Sequence, residues 1–330
     1  MMRRLFGLSF GSTGALPGFT VDFAPERTDV RADLSPTATS EFRDVPGRLR
    51  HCSTDKDASG NPLLEIHEIA DGGLFRLTYC DGTTFVLDRN GTSVKGSWTT
   101  ASTLADTMVY FLGPVAGALL YLRGVPCLHA SAIVVRGKAL LFVGSAEAGK
   151  STTAAAFAKR GYRVITDDIA ALGKQNGVFV VRPGVPRVLL WPPSVEAIWG
   201  AGDALPLVVP NWDKRYLDLS ERGLFQETHV PLGAVYVLED RVANCEIGVS
   251  PLGGAKALMR LVANKYFSRF SEPQLQATEF SAFSRLASCI PVRRVTRPDD
   301  RSRIDDVCDA ILGDFDSISA PTPAVADTCV

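Results

Sequence analysis

The 40 residues from His129 to Asp168 constrain this chain more than any other stretch. They contain Gly144-Ser-Ala-Glu-Ala-Gly149-Lys150-Ser151, which fits the pattern of glycine, four residues, glycine, lysine, then serine or threonine. The apolar run Ala139 to Val143 suits a buried strand, and the alanine-rich run Thr152 to Lys159 favours a helix that Gly161 stops. Strand, glycine loop and helix make an anion cradle. The glycines let backbone N–H groups turn inward, and the helix N-terminus adds about half a positive charge. Gly144, Ala146, Glu147, Ala148, Gly149, Lys150, Ser151 and Thr152 are therefore the candidate nucleotide-binding residues. Lys150 is suited to the β- and γ-phosphates, and Ser151 to a magnesium ion. The competing reading is a chance match, which the flanking strand and helix disfavour.

After the helix, Tyr162 to Thr166 reads as a second buried strand ending in Asp167-Asp168. Carboxylates at a strand's carboxyl end, next to a phosphate loop, can hold magnesium or take a proton from an attacking group. A plain turn or a solvated acidic pair is the structural alternative. Downstream, Lys214 and Arg215 lie in what reads as a loop before Leu217, where they suit either a clamp on a transferring phosphate or a solvated pair.

Length and composition set the frame. A chain of 330 residues has room for two domains, and 46% apolar against 22% charged residues excludes global disorder. The formal net charge of −1, without a basic block, gives no support for a nucleic-acid partner or a membrane surface. Met108 to Leu122 is strongly apolar but short for a bilayer and interrupted by Gly113-Pro114, so a buried helix pair is expected. The uninterrupted apolar run near the N-terminus is too short for a signal peptide. Seven scattered cysteines, none in C-x-x-C spacing, read as free thiols of a reducing compartment, so a cytoplasmic location is expected.

Taken in order, residues 1–100 read as a β-rich unit. Leu5 to Phe10 and Thr28 to Leu34 are candidate strands, and Pro36 to Asp57 reads as a polar, mobile connection. Strands from Leu63 onward are separated by Asp71-Gly72-Gly73, Asp81-Gly82 and Asn90-Gly91, an antiparallel meander. Residues 101–125 form a helical connection, and 126–316 a catalytic unit. Within that unit, helices are expected from Ser194 to Trp199, Gly253 to Phe267, Gln274 to Ser288 and Ser302 to Leu312. Residues 317–330 read as a disordered tail.

The stretches LHASAIVV, GSAEAGKST and KRGYRVITDD resemble the catalytic domain of the HPr kinase/phosphorylase family, distant relatives of phosphoenolpyruvate carboxykinase. Along its whole length the chain looks like the HPr-kinase-like proteins of peptide natural-product clusters, lasso-peptide kinases included. FGLSFGSTGALPGF, LGPVAGALLYLRGVPCLHAS, DKRYLDL, PLGAVYVL and PVRRVTRPDD carry that likeness. The resemblance implies an α/β fold with a P-loop catalytic domain, ATP and Mg2+ as cofactors, Asp167 as the base toward a hydroxyl with His129 beside it, and Asp168 with Ser151 as metal ligands. It also implies a precursor peptide as partner and a serine near that peptide's C-terminus as acceptor. Ala146-Glu147 replaces the family's usual Ser-Gly, and Glu221-Arg222-Gly223 has the wrong spacing for its Glu-x-Arg-Gly-x-Gly motif, so HPr itself is not the implied substrate.

Other readings stay open at this stage: a kinase of small-molecule hydroxyls, a nucleotide sensor that transfers nothing, and a carboxykinase-like enzyme. A pure binder has no need of a base at Asp167. Oligomeric state is equally open, a homo-oligomer among the choices.

Overall fold

The computed structural model describes residues 2–12, 14, 16–17, 20–22 and 27–319, a mixed α/β chain with three sheets. Nine strands between Met2 and Ser97 form the first sheet. Period-two alternation gives it one buried face: Leu64 and Ile66 on one strand, and Phe75, Leu77 and Tyr79 on the next, all point into the core. The hairpin glycines Gly72, Gly82 and Gly91 sit at φ of 87°, 83° and 63°, the left-handed region that glycine enters without steric cost.

Two N-terminal expectations are corrected. Leu5 to Phe10 is not one strand, because Phe6 and Gly7 (φ 53° and 75°) reverse the chain between Met2–Leu5 and Leu8–Ser12. The polar stretch from Pro36 to Asp57 contains the strand Gly47–Cys52, which forms one edge of the sheet. An edge strand largely open to water on both faces lacks the apolar alternation that marks a strand in a sequence.

Leu104–Tyr110, the π turn Phe111–Val115 and Ala116–Leu122 follow one another as two helical segments joined at a kink. Thr103 and Asp106 cap the start of the first reciprocally. The break expected at Gly113-Pro114 is present: Gly113 leaves helical geometry (φ −106°, ψ −105°) within the π turn, just before Pro114, which has no N–H to donate. The helix is long and apolar enough to cross a membrane, yet 61% of that window is buried inside the fold. Phe111, Val115 and Leu119 share a core with the first sheet, and the same core takes in Ile169, Ala171, Val185, Phe267 and Phe270. Packing is thus continuous across the residue-125 boundary.

The second sheet carries Cys127–Val135 between Lys138–Val143 and Ile169–Gln175. It continues through Val178–Val181, Val230–Leu238, Val292–Thr296 and Gly248–Pro251. Lys138–Val143 also pairs in parallel with Val230–Leu238, so part of this sheet closes on itself. Most of the other pairings are antiparallel. The helix Lys150–Lys159 lies against it. Alanines 154, 155, 156 and 158 bring its backbone close to the strands, and Phe157 stacks on Phe142 at 5.7 Å. A third sheet joins Arg187–Leu190, Trp212–Asp218 and Leu207–Val209. The helix expected over Gly253 to Phe267 ends at Ala263, and the last one, Ile304–Ser319, runs through residues 317–319 of the expected tail. The remainder of that tail, 320–330, lies outside the described residues.

Candidate active site

The strand Lys138–Val143 delivers the chain to Gly144, where the backbone passes so near its neighbours that a Cβ would stand 2.6 Å from the Leu238 carbonyl oxygen. Gly149 turns left-handed (φ 86°) and the helix begins at Lys150. Ala146 and Glu147 are exposed, with Glu147 at the rim of the cavity described below and Ala148 buried behind it. Lys150 is 7% exposed, and its Nζ donates at 3.0 Å to the carbonyls of both Gly144 and Ser145, drawing the loop around itself. Burial lowers the pKa of that ammonium. From behind, the buried Arg297 donates to the Ala148 carbonyl, and burial followed by the charge of Arg241 brings its pKa down to about 10. The Gly144 N–H is held by Asn264 Oδ1 at 3.0 Å.

Both aspartates face the same space for a backbone reason. In an extended strand successive side chains point oppositely, but Asp168 adopts φ 68°, a left-handed turn that aspartate tolerates, and its carboxylate swings to the cavity side. Asp167 is 6% exposed and holds three donors: Ser131 Oγ at 2.6 Å and Ser151 Oγ at 2.8 Å on Oδ1, and the Leu189 N–H at 2.9 Å on Oδ2. Burial outweighs these bonds and raises its pKa. Asp168 is more open, its side chain 41% exposed, with His129 Nδ1 at 3.1 Å from Oδ1 and the Tyr266 hydroxyl at 2.9 Å from Oδ2. Burial pushes the Asp168 carboxyl up, but its bonds with His129 and Tyr266 bring it below the ordinary value. Tyr266 reaches it because Gly117 leaves a slot: a Cβ there would lie 2.3 Å from the ring.

Glu147, Gly149, Lys150, Ser151, Asp167, Asp168 and His129 line one cavity of about 630 Å³. The glycine loop, Lys150, Ser151 and Thr152 form one end, with Arg241 and Arg301 also in the lining. His129, Asp168, Arg187 and Lys214 line it too, and Val109, Leu112 and Pro114 of the long helix supply an apolar wall. Five cations (Lys150, Arg187, Lys214, Arg241, Arg301) face three acids (Glu147, Asp167, Asp168), a positive cavity in a chain of net charge −1. Such a field favours a polyanion.

Magnesium fits this donor set with help. Among the described residues no group of three or more His, Cys, Asp or Glu is placed to hold a metal. Ser151 Oγ and Asp167 Oδ1, 2.8 Å apart, nonetheless supply the oxygen ligands that Mg2+ takes from a protein when substrate phosphates and water complete the shell.

Lys214 and Arg215 part company. They lie on the strand Trp212–Asp218, not in a loop, so they point to opposite faces. Lys214 lines the cavity, its Nζ 5.2 Å from the Trp191 ring and 5.0 Å from the Trp212 ring. Arg215 faces away and donates to the Leu205 carbonyl at 2.8 Å, which removes it from any clamp.

No family model matches the chain, and no curated protein matches it. Among solved structures it is similar to the HPr(Ser) kinase/phosphatase from Coxiella burnetii, with 13% identity over 58% of this chain and 92% of that chain. The TM-score is 0.34, a likeness too slight to carry fold or function.

Several site residues escape a linear reading. Ser131 was within reach, since it sits two residues after His129 on one strand and shares its face. Arg187 and Trp191 follow the same rule on the third sheet. Tyr266, Asn264, Arg241 and Arg301 come from segments far away in the chain, with no local signal to announce them.

Proposed function

We propose that this protein is a kinase that binds ATP with Mg2+ at residues 144–152 and transfers the γ-phosphate to a hydroxyl. The observation that carries the reading is that Asp168 and Lys150 line one positive cavity within electrostatic reach of each other, a carboxylate beside a phosphate cradle. The geometry favours a division of labour opposite to that implied by the resemblance. Asp167, held by Ser131, Ser151 and the Leu189 N–H, orients Ser151 and lies on the metal side. Asp168, more open and steered by His129 and Tyr266, is the base.

In the reaction, the acceptor hydroxyl gives its proton to Asp168 as its oxygen forms a bond to the γ-phosphorus. The bond from that phosphorus to the bridging oxygen breaks, and its electron pair leaves on ADP. Lys150 neutralises the β- and γ-oxygens, and Lys214, close enough to act electrostatically on both Lys150 and Asp168, steadies the phosphoryl group between them. Bound Mg2+ supplies charge neutralisation at the phosphates. His129 keeps Asp168 ionised, and the apolar wall limits water that would compete with the hydroxyl.

The acceptor we infer is a serine near the C-terminus of a small ribosomally made precursor peptide of the lasso type, in the cytoplasm where ATP is available. That choice rests on the sequence resemblance. The test offers ATP, magnesium and a precursor peptide ending in serine beside the same peptide ending in alanine, read by mass spectrometry. One phosphate on the serine peptide alone is the expected result. Phosphate on both, or on neither while a sugar or nucleoside is phosphorylated, removes the peptide acceptor and leaves the general kinase.

A further inference from the structure

Arg187 is a cavity cation that no bonded carboxylate holds. It begins the strand Arg187–Leu190, where Arg187 and Leu189 line the cavity while Val188 between them enters the core. Among the described residues its guanidinium has no hydrogen bond and no ion-pair partner. Asp167 and Asp168 are near enough to act on it electrostatically, yet every one of their carboxylate oxygens is engaged elsewhere, by Ser131 and Ser151, Leu189 N–H, His129 and Tyr266. A half-buried guanidinium without a bonded counterion keeps its donors free for a ligand anion.

Its neighbours indicate which ligand. The loop N–H groups and Lys150 already serve the nucleotide, with Arg241 beside Gly149. Lys214 bridges from Lys150 to Asp168. Arg187 lines the cavity from the third sheet, two residues before Leu189, whose N–H holds Asp167, so it stands at the aspartate end, where the acceptor is placed.

We propose that Arg187 forms the anion subsite of the acceptor, binding a carboxylate or phosphate that the acceptor carries next to its reacting hydroxyl. The planar guanidinium fork matches either oxyanion with paired hydrogen bonds, whereas a neutral amide offers a single acceptor oxygen. The subsite makes acceptor charge a selectivity filter, and Val109, Leu112 and Pro114 leave the opposite wall apolar. The assignment to an acceptor rests on the kinase reading; the anion subsite itself does not.

The test uses the full chain with its nucleotide site filled by magnesium and a non-hydrolysable ATP analogue, so that added anions cannot enter the glycine loop. Three probes are titrated: N-acetyl-L-serine, N-acetyl-L-serinamide and N-acetyl-O-phospho-L-serinamide, followed by tryptophan fluorescence from Trp191 and Trp212 and by equilibrium dialysis. At least one anionic probe should bind about tenfold tighter than the neutral amide, and whichever does identifies carboxylate or phosphate. Arg187→Gln should erase that preference, Arg187→Lys should restore part of it, and both should leave affinity for the analogue unchanged. Equal binding of the three probes, no measurable binding of any, or a preference that survives Arg187→Gln overturns the proposal. Failure of the analogue to bind the wild-type protein strikes the kinase reading instead, and the probes are then titrated without it against the same criteria.

Discussion

The two ends of the cavity are built in different ways. The glycine-loop end is nearly one continuous segment: strand, loop and helix follow one another from Lys138 to Lys159, and local backbone conformation shapes the cradle. The acceptor end is assembled from His129, the Asp167-Asp168 turn, the third sheet, Tyr266 and the long helix. The first end is specified by local spacing and the second by packing. Substitutions at the first should therefore act on nucleotide affinity, and those at the second on transfer and on the scaffold's stability.

The largest effect expected from this contrast is at Lys150. Lys150→Ala should weaken ATP binding by about a hundredfold or more, because a buried ammonium facing phosphate oxygens has no substitute at that position. Calorimetry with ATP and magnesium measures it, and undiminished affinity would break the division between the two ends. A smaller effect separates Lys214 from its neighbour. Lys214→Gln should slow transfer by about tenfold with ATP affinity nearly unchanged, while Arg215→Gln should leave transfer as it is. Trp191→Leu should mimic part of the Lys214 loss, since an aromatic face contributes about 0.5–2 kcal/mol to placing an ammonium. Steady-state rates on the four proteins decide it, and equal losses at 214 and 215 would contradict the alternation of that strand.

The scaffold behind the His129 strand predicts a pH signature. Glu279 is 7% exposed on the helix Pro273–Cys289, against the Cys127 backbone that opens the His129 strand, and burial raises its pKa from 4.5 to about 7. An acid whose folded pKa is raised imposes no penalty below its unfolded value and an increasing one as pH climbs through the folded value. Stability should fall between pH 4.5 and 7, by up to about 3 kcal/mol above that window. Glu279→Gln should therefore match the wild type in thermal denaturation near pH 4.5 and exceed it near pH 8. A gap that does not grow with pH would remove Glu279 as its source.

What the sequence made legible follows the same contrast. Gly144, Gly149, Lys150 and Ser151 are readable because the cradle's geometry depends on residues within eight positions of each other. The meander was readable from its hairpin glycines and alternation. Gly47–Cys52 was not, since an edge strand need not alternate. Arg215 misled because the stretch was taken for a loop, where neighbours can act together, and a strand sets them on opposite faces. Tyr266 and Arg187 depend on three-dimensional approach, through the Gly117 slot and the third sheet, which no local pattern encodes.

The proposed mechanism turns on Asp168, rather than Asp167, taking the acceptor's proton. The direct measurement compares Asp168→Asn and Asp167→Asn for ATP affinity, magnesium dependence and phosphate transfer to the serine peptide. Asp168→Asn should keep nucleotide affinity and lose transfer by about a thousandfold, while Asp167→Asn should chiefly raise the magnesium concentration required. Transfer by Asp168→Asn at the wild-type rate, with Asp167→Asn inactive at saturating magnesium, would contradict it.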